Sequence, residues 1–283
     1  MGAVIVDGKA IALSIEKTIS QGVTQLASEG VSPHLVVIIV GEDPASRVYV
    51  RNKQRACERC GIESTLIEMS EDSTQEEVLD MVESLNSDDS VHGILVQSPI
   101  PGDVDELAVA SAISPRKDVD GFHPANLGRL VQGDSSGLMP CTPAGVIRML
   151  EHSGMELVGA KAAVLGRSRI VGMPMSLMLA SKGVDATVTI VHSRTHDVEL
   201  ICRESDIVIA AMGRPHLVKS DWVKPGAYVV DVGISRTDGG ELAGDVDPQV
   251  AKVAGWMTPV PGGVGPMTIA MLMENTLTAA RQS

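Results

Sequence analysis

The sequence contains few aromatic residues, few cysteines and no long apolar segment. Five of its 283 residues are aromatic, so aliphatic side chains must fill the core and an aromatic side chain at a candidate site is informative. Four cysteines are too few for a disulfide framework. No apolar run approaches the roughly 18 residues that a membrane-spanning helix needs.

Positive charge is also scarce. The formal net charge is −13, and the lysines and arginines form no block, which argues against a nucleic-acid-binding surface. A few local cations could still bind a small anionic ligand. The first nine residues lack the charged start and apolar middle of a signal peptide, so we expect a cytoplasmic protein without membrane partners.

Two of the cysteines, Cys57 and Cys60, form a C-x-x-C pair. A structural zinc site needs four ligands, and neither a second such pair nor a histidine pair at ligand spacing accompanies this one. The pair also lies inside a predicted helix, away from the helix start where a thiol pKa would be lowered. These observations favour buried structural thiols over a metal or redox role, and we expect no metal.

Helical and strand-like segments alternate in the first half of the chain, which indicates an α/β domain with a largely parallel sheet. Leu35–Val40 is a continuous apolar run rich in β-branched residues, as expected of a buried parallel strand. The predicted helices are 9–26, 45–59 and 75–86, and the predicted strands are 35–40, 65–69 and 93–97.

A second alternating set follows Pro140–Pro143 and is typical of a Rossmann-type unit. Its predicted helices are 144–151 and 174–182, and its predicted strands are 162–165, 187–192, 207–211 and 228–232.

The loop Gly166–Pro174 joins the first strand of this unit to its first helix. Its glycines, Gly166 and Gly172, are six apart, so the loop differs from the common G-x-G-x-x-G pattern. Its position nevertheless suits a dinucleotide, because a glycine after the first strand permits a tight turn and a helix N-terminus favours a pyrophosphate.

The next strand helps to choose the cofactor. NAD-binding units usually have an acid there for the ribose 2′-hydroxyl, whereas this strand ends His192-Ser193-Arg194. With Arg167 in the first loop, a guanidinium and a hydroxyl suit a 2′-phosphate, which favours NADP. A solvated Arg194 without a role explains that residue equally well.

Three polar side chains of the first half are candidates for catalysis. Tyr49 and Lys53 are four apart on one predicted helix, so they project from one face. A helical lysine is usually solvated, but this helix follows a parallel strand, at the edge of a sheet where α/β sites gather. Gln97 ends another strand at that edge.

Asp118 and Asp120 form a further polar cluster, in the sequence Asp118-Val-Asp120-Gly-Phe-His123. A loop with Asx turns explains this cluster as well as a binding role does. Two acids and a glycine fall short of a calcium-loop pattern.

The segment Pro259–Thr268 holds three prolines and three glycines, directly before the apolar run Ile269–Leu272 that is predicted to be helical. Proline fixes φ and glycine permits positive φ or a close approach, so this composition indicates a rigid, shaped loop. A simple turn into the last helix would use the same residues.

Taken together, these motifs resemble the bifunctional methylenetetrahydrofolate dehydrogenase/methenyltetrahydrofolate cyclohydrolases over nearly the whole chain. The motifs that carry the resemblance are Gly41–Lys53, Gly93–Pro101, Lys117–Pro124, Pro140–Pro143, the Gly166 loop, Val230–Ile234, Gly244–Val246 and Pro259–Thr268.

The resemblance implies oxidation of 5,10-methylenetetrahydrofolate with NADP⁺ and hydrolysis of the methenyl product to 10-formyltetrahydrofolate. It implies that Tyr49 stacks on the folate, Lys53 serves the water-addition step, Gln97 supports Lys53 and Asp120 holds the pterin. The remaining residues that it implies are substrate-binding Pro261, Gly262 and Gly263, and dinucleotide-binding Gly166, Arg167, Ser168, Ser193 and Ile234.

The implied chemistry agrees with the residue types. Loss of hydride from a carbon between two nitrogens needs no acid, so the protein's task in that step is positioning. Hydrolysis needs proton transfer, which a lysine can provide if burial lowers its pKa. We therefore expect Lys53 to be partly neutral and hydrogen-bonded to Gln97.

Two positions depart from the pattern of this family. Ser98 stands where leucine is usual, which puts the balance of the two activities in question, and Trp256-Met257 replaces a pair that commonly contains tyrosine. Lys53 is retained, which argues against a dehydrogenase without hydrolase activity.

The sequence thus predicts two α/β domains around a cleft and, by resemblance, a homodimer. We expect residues 1–141 with 261–283 to form the folate-binding catalytic domain and residues 142–260 the Rossmann-type NADP-binding domain. An NADP-dependent dehydrogenase for another small substrate would leave Tyr49, Lys53 and Gln97 unexplained. A binding protein without turnover is the other alternative.

Overall fold

A computed structural model of the chain describes residues 2–236 and 239–283. Its internal contacts divide the chain into two units, which we name after their sheets. The six-stranded unit comprises Met1–Ala12 and Thr142–Thr268, and the three-stranded unit comprises Leu13–Cys141 and Ile269–Ser283.

The strands of the described residues are β1 (Val4–Ile5), β2 (His34–Val40), β3 (Glu63–Met69), β4 (Gly93–Val96), β5 (Lys161–Leu165), β6 (Thr187–Val191), β7 (Ile207–Ala210), β8 (Tyr228–Asp231), β9 (Ser235–Arg236), β10 (Leu242–Ala243) and β11 (Trp256–Met257). The α-helices are α1 (Gly8–Ser28), α2 (Pro44–Cys60), α3 (Gln75–Asn86), α4 (Glu106–Ala112), α5 (Pro124–Gln132), α6 (Cys141–His152), α7 (Gly172–Ala180), α8 (Val198–Arg203) and α9 (Val264–Arg281).

The six-stranded sheet is parallel throughout and has the order β1-β11-β8-β7-β5-β6. Counted from β5, its strands lie 2-1-3-4-5, which is one of the common doubly wound orders. The winding reverses between β5 and β7, and ligands of such sheets bind at that point, outside the carboxyl ends of the strands. A short antiparallel pair, β9 with β10, follows β8.

The three-stranded sheet is also parallel, with the order β3-β2-β4. A single bridge between Ile94 and Asp118 continues the sheet beyond β4. The central strand β2 is almost wholly buried, which explains its continuous apolar sequence. The predicted α/β class and the parallel arrangement of the sheets are confirmed.

The two helices that flank this sheet begin where local chemistry predicts. The Asp43 carboxylate accepts a hydrogen bond of 2.7 Å from the Ser46 N–H at the start of α2, and Gly61 ends that helix with φ of 76°. Thr74 and Glu77 form a capping box at the start of α3. The sequence-based boundaries of both helices are confirmed to within one residue.

The last helix begins earlier than the sequence indicates. We expected a shaped loop through Thr268, whereas α9 begins at Val264. Pro266 is the third residue of α9, where its missing N–H is one of the donors that a first helical turn leaves free, so proline is tolerated there. The loop is therefore confined to residues 258–263.

Among the residues that the structure describes, no helix combines the length and the apolar character that crossing a bilayer requires.

A buried carboxylate in the three-stranded unit provides a test of its packing. The Glu16 side chain is 5% exposed and receives two hydrogen bonds from Arg59, of 2.6 and 2.8 Å. Removing the guanidinium leaves a buried charge without its partner, so we expect Arg59→Leu to lower the free energy of unfolding by about 2–3 kcal/mol in urea denaturation.

The matched control is Arg47→Leu, which removes the more exposed ion pair of Arg47 with Glu68. Its cost should be about 0–1 kcal/mol. Equal effects of the two substitutions would contradict the importance of the buried pair.

Candidate active site

Tyr49, Lys53 and Gln97 lie in the three-stranded unit at the carboxyl edge of its sheet. Tyr49 and Lys53 lie on α2, which begins four residues after the end of β2, and Gln97 follows β4 directly. The Gln97 N–H donates to the Ile38 carbonyl at 2.8 Å, so Gln97 is still aligned with the central strand. The Tyr49 residue is 40% exposed, which leaves its ring available to a ligand.

The Lys53 ammonium donates a hydrogen bond of 2.9 Å to the Gln97 side-chain oxygen. The Gln97 amide nitrogen in turn donates to the Ser98 carbonyl at 2.6 Å, which fixes the amide with its oxygen toward Lys53. Ser98 therefore contributes through its backbone, while its own side chain is exposed. The expected hydrogen bond between Gln97 and Lys53 is present.

Asp120 completes this cluster. It lies two residues beyond the bridge that Asp118 forms with β4, so the extended sheet brings it to the edge that carries Gln97. Burial raises the pKa of the Asp120 carboxyl, and the nearby Lys53 partly opposes that rise. Burial lowers the pKa of Lys53, and Asp120 partly opposes that change in turn. A half-buried amine and a half-buried acid thus share one site.

Asp118 supports the loop rather than the candidate chemistry. Its carboxylate is buried and accepts hydrogen bonds from the N–H groups of Phe122 and His123, at 3.1 and 2.8 Å, and from Asn126 at 2.8 Å. Burial raises its pKa to about 6, although these hydrogen bonds favour the ionised form. Asp118 thus stabilises the loop through N–H groups four and five residues further on, not through an Asx turn. Asp120, in contrast, interacts with the charge of Lys53.

Sequence reasoning missed Asn275, a buried polar residue of α9. Its amide nitrogen donates to the carbonyls of Val119 and Met139, each at 2.8 Å. Val119 immediately precedes Asp120, and the Cys141 N–H donates to the Asp120 carbonyl at 3.2 Å. Asn275 therefore fixes the backbone next to Asp120, and the single amide side chain of α9 was the signal available in the sequence.

The Cys57–Cys60 pair is buried within α2. Burial raises the pKa values of these thiols to about 11 and about 12, so both are protonated at neutral pH, and the Cys57 thiol lies 3.6 Å from the Met273 sulfur. Among the described residues, no group of three or more histidine, cysteine or acidic side chains could hold a metal ion.

In the six-stranded unit the Gly166 loop lies at the switch point of the sheet. A side chain at Gly166 would collide with the Ala211 carbonyl in the loop after β7, and one at Gly172 would collide with the Gly166 carbonyl. The two glycines thus allow three stretches of backbone to meet closely where the winding reverses. That cradle fits a dinucleotide, which needs close approach to the backbone.

The N-terminus of α7 is more fully bonded than we expected. The Ser168 hydroxyl oxygen accepts from the N–H groups of Val171 and Gly172, at 3.1 and 3.3 Å, and the Ser168 carbonyl accepts from Met173 at 3.0 Å. These three donors are therefore used within the loop, and the expectation that they are free for a pyrophosphate is wrong.

The other dinucleotide candidates also follow carboxyl ends of strands. Arg167 follows β5, Ser193 and Arg194 follow β6, and Ile234 follows β8; all four are exposed. A tight turn presents Ser193 and Arg194, because the His192 N–H donates to the Thr195 hydroxyl oxygen at 3.0 Å.

Pro261, Gly262 and Gly263 lie in the six-stranded unit, in the loop before α9. Gly262 has φ of 100°, and the Gly263 N–H donates to the Pro259 carbonyl at 3.0 Å, which closes the turn. Trp256 lies just before this loop in β11 and stacks on Tyr228 at a ring-centroid distance of 5.5 Å. The unusual Trp256 is thus a packing residue of the sheet.

A doubly wound domain with a glycine cradle, joined in one chain to an α/β unit with a half-buried lysine, defines a nucleotide-dependent enzyme of two domains. Models of the tetrahydrofolate dehydrogenase/cyclohydrolase family match the chain twice: its catalytic domain matches residues 6–120, and its NAD(P)-binding domain matches residues 140–283. The chain belongs to the tetrahydrofolate dehydrogenase/cyclohydrolase family.

Individual relatives are similar over their whole length. The bifunctional protein FolD of Moorella thermoacetica is 52% identical over 283 residues, which cover 100% of both chains. The crystal structure of the bifunctional FolD methylenetetrahydrofolate dehydrogenase/cyclohydrolase from Campylobacter jejuni matches with a TM-score of 0.96 and 46% identity over 99% of each chain.

A third relative was solved with a cofactor. The Trypanosoma brucei methylenetetrahydrofolate dehydrogenase-cyclohydrolase, complexed with NADP and an inhibitor, matches with a TM-score of 0.93 and 41% identity, over 100% of this chain and 98% of that one.

The electrostatics of Lys53 can be tested without substrate. Because burial lowers the pKa of Lys53, its ammonium should lose its proton below the ordinary lysine pKa of about 10.4 in an NMR titration of lysine-labelled protein. Gln97→Glu places a carboxylate beside the ammonium and should raise the Lys53 pKa.

The control is Gln282→Glu, which makes the same change in charge at an exposed residue beyond α9 and should leave the titration unchanged. A Lys53 that titrates at the ordinary lysine value in the unmodified protein would contradict the prediction.

Proposed function

We propose that this protein oxidises 5,10-methylenetetrahydrofolate with NADP⁺ to the methenyl cation and hydrolyses that cation to 10-formyltetrahydrofolate. The observation that carries the proposal is the 2.9 Å hydrogen bond from Lys53 to Gln97 beside Asp120, which places an amine of lowered pKa at the edge of the sheet. The family membership gives this site its substrate.

The oxidation step asks little of the protein's acids and bases. Hydride leaves the carbon between the two folate nitrogens, whose lone pairs stabilise the resulting cation. NADP⁺ supplies the hydride acceptor when it is bound. The exposed Tyr49 ring offers a flat surface for the folate, and Asp120 offers a carboxylate to the pterin, so these residues orient the carbon.

The hydrolysis step needs a group that takes up and returns a proton. Water forms a bond to the methenyl carbon, and its proton passes to the neutral Lys53 amine. The bond from that carbon to one nitrogen then breaks, this nitrogen takes a proton and the formyl group remains on the other. The net reaction releases one proton. Gln97 holds Lys53 in place through its side-chain oxygen, and a lowered pKa increases the fraction of Lys53 that is neutral.

The residues proposed to bind NADP⁺ are those of the carboxyl edge of the six-stranded sheet. Gly166 and Ser168 shape the loop after β5. Arg167, Ser193 and Ile234 are exposed after the carboxyl ends of β5, β6 and β8. The site has no acid directly after β6, and Arg194 is exposed there, which supports recognition of a 2′-phosphate. Pro261, Gly262 and Gly263 stay a predicted part of the substrate site.

The proposed assignment of domains follows from these sites. Residues 1–141 with 261–283, which include Lys53, Gln97 and Asp120, are proposed to bind folate, and residues 142–260 are proposed to bind NADP⁺. By their contacts, residues 1–12 and 261–268 belong to the six-stranded unit. The homodimer implied by the family resemblance and the cytoplasmic location stay predictions; sedimentation and fractionation would test them.

The first experiment mixes the protein with 5,10-methylenetetrahydrofolate and NADP⁺ and follows NADPH, methenyl and 10-formyl products together. The proposal expects NADPH to appear with the 10-formyl product, faster than uncatalysed hydrolysis supplies it. If NADPH forms but the methenyl product decays only at its uncatalysed rate, the protein has no hydrolase activity. If no turnover occurs, the protein has neither activity.

Lys53→Met separates the two steps. We expect it to lower hydrolase turnover by about 10²–10⁴-fold, the usual contribution of a general acid–base group, while NADPH formation continues and methenyl product accumulates. The control is Lys17→Met, at an exposed position of α1, which should leave both rates unchanged. Full hydrolase activity in Lys53→Met would show that Lys53 has no catalytic role.

Arg194→Ala tests the choice of cofactor. Loss of a charge-assisted contact to the 2′-phosphate should weaken NADP⁺ binding by about tenfold or more and leave NAD⁺ binding unchanged. Arg203→Ala, an exposed arginine of α8, is the control. An equal change for both nucleotides, or none, would show that Arg194 is merely solvated.

A further inference from the structure

The loop after β7 closes around a buried carboxylate. Met212, Gly213 and Arg214 follow one another, and their three N–H groups all donate to Asp245, at 2.6, 2.9 and 2.7 Å. Successive N–H groups that converge in this way form an anion-binding nest, and Gly213 has the positive φ, 65°, that a nest requires. In other proteins such a nest can bind a phosphate, whereas here the Asp245 carboxylate of the protein itself occupies it.

Asp245 is itself held by a second buried carboxylate at the end of β8. Asp231 accepts hydrogen bonds from the N–H groups of Gly233, Asp245 and Val246, at 3.0, 2.9 and 2.9 Å. The Asp231 N–H donates to the hydroxyl oxygen of the buried Thr258 at 2.8 Å. Asp245 and Asp231 are 0% and 3% exposed, so solvent cannot replace these bonds.

Two glycines make room for this pair in a reciprocal way. A side chain at Gly233 would collide with the Asp245 carboxylate, and a side chain at Gly244 would collide with the Asp231 carboxylate. Each carboxylate therefore fills the space that a glycine near the other acid leaves open. This packing fixes the loops after β7, β8 and β10 together as one body.

This body touches the proposed dinucleotide site from two sides. Ala211, directly before the nest, presents the carbonyl against which Gly166 packs at the switch point. Gly233, held by Asp231, directly precedes Ile234. The positions of both Gly166 and Ile234, two residues proposed to contact NADP⁺, therefore depend on the two carboxylates.

We infer that Asp245 and Asp231 are positioning residues for NADP⁺, which act through the Met212–Arg214 loop and Gly233 without touching the cofactor. The inference rests on the proposed function. Its chemical basis is that each carboxylate accepts from three backbone N–H groups, which need an acceptor with several lone pairs in a fixed place. An asparagine amide in the same place has only one oxygen that can accept these hydrogen bonds, and its NH₂ group would face the backbone N–H donors.

The test compares Asp245→Asn with Asp247→Asn. Asp247 is two residues further on, bonds Lys219 and the Gln249 N–H at the protein surface, and serves as the matched control. NADP⁺ binding is measured by calorimetry, and hydrolysis of methenyltetrahydrofolate is measured without nucleotide. We expect Asp245→Asn to raise the NADP⁺ dissociation constant by about tenfold or more, with hydrolase turnover within about twofold of the unmodified protein. Asp247→Asn should change neither.

Two results would overturn the inference: an unchanged NADP⁺ dissociation constant in Asp245→Asn, or a parallel loss of hydrolase turnover that marks a purely structural role. If Asp245→Asn does not fold, Asp231→Asn carries the same expectation and the same two contrary results. Failure of the proposed function is distinguishable, because an unmodified protein without turnover still yields the NADP⁺ dissociation constants that decide the role of the pair.

Discussion

The structure depends on buried carboxylates that bind backbone N–H groups where parallel strands end. Residues past the end of a strand lose the hydrogen-bonding partners of the sheet, yet the binding loops of an α/β protein lie there and must keep one shape. Asp118 binds the loop that presents Asp120, Asp231 binds the turn before Ile234, and Asp245 binds the loop against Gly166. Both units use this device, although their sheets differ in size and strand order.

The cost of this arrangement is that several charges are removed from water. Burial raises the pKa values of Asp118 and Asp231 to about 6, so both carboxyls are still mostly ionised at neutral pH, where the N–H groups need an anion. The same desolvation acts with opposite sign on Lys53, whose charged form it disfavours. Desolvation therefore imposes an energetic penalty on the ionised supporting carboxylates. It also makes the Lys53 amine less basic, which increases the neutral fraction that hydrolysis uses.

Much of the fold was predictable from the spacing of apolar residues and from the residues that cap helices. The run of β-branched residues in β2 could only be a buried strand, and Thr74 with Glu77 marked the start of α3. The same local rules placed Tyr49, Lys53 and Gln97 at one sheet edge. They failed at Val264, because the two helical residues before Pro266 belong to a segment whose prolines and glycines are typical of a loop. They also failed to show that the Ser168 hydroxyl accepts from the N–H groups of Val171 and Gly172, for which a phosphate would compete. Three-dimensional geometry decides whether the hydroxyl or a phosphate accepts from these N–H groups.

Asp231 and Asp245 show why the supporting residues were missed while the motifs that contain them were noticed. An acid next to glycines is read from sequence as a turn or as a ligand for a cation, since both use the same residue types. What distinguishes the present case is reciprocity: Gly244 leaves space for Asp231, and Gly233 leaves space for Asp245. That relation joins residues from two separate loops, and neither loop alone contains it. Such a support therefore requires two acids that follow different strands. Each acid must have a glycine nearby that leaves space for the other acid.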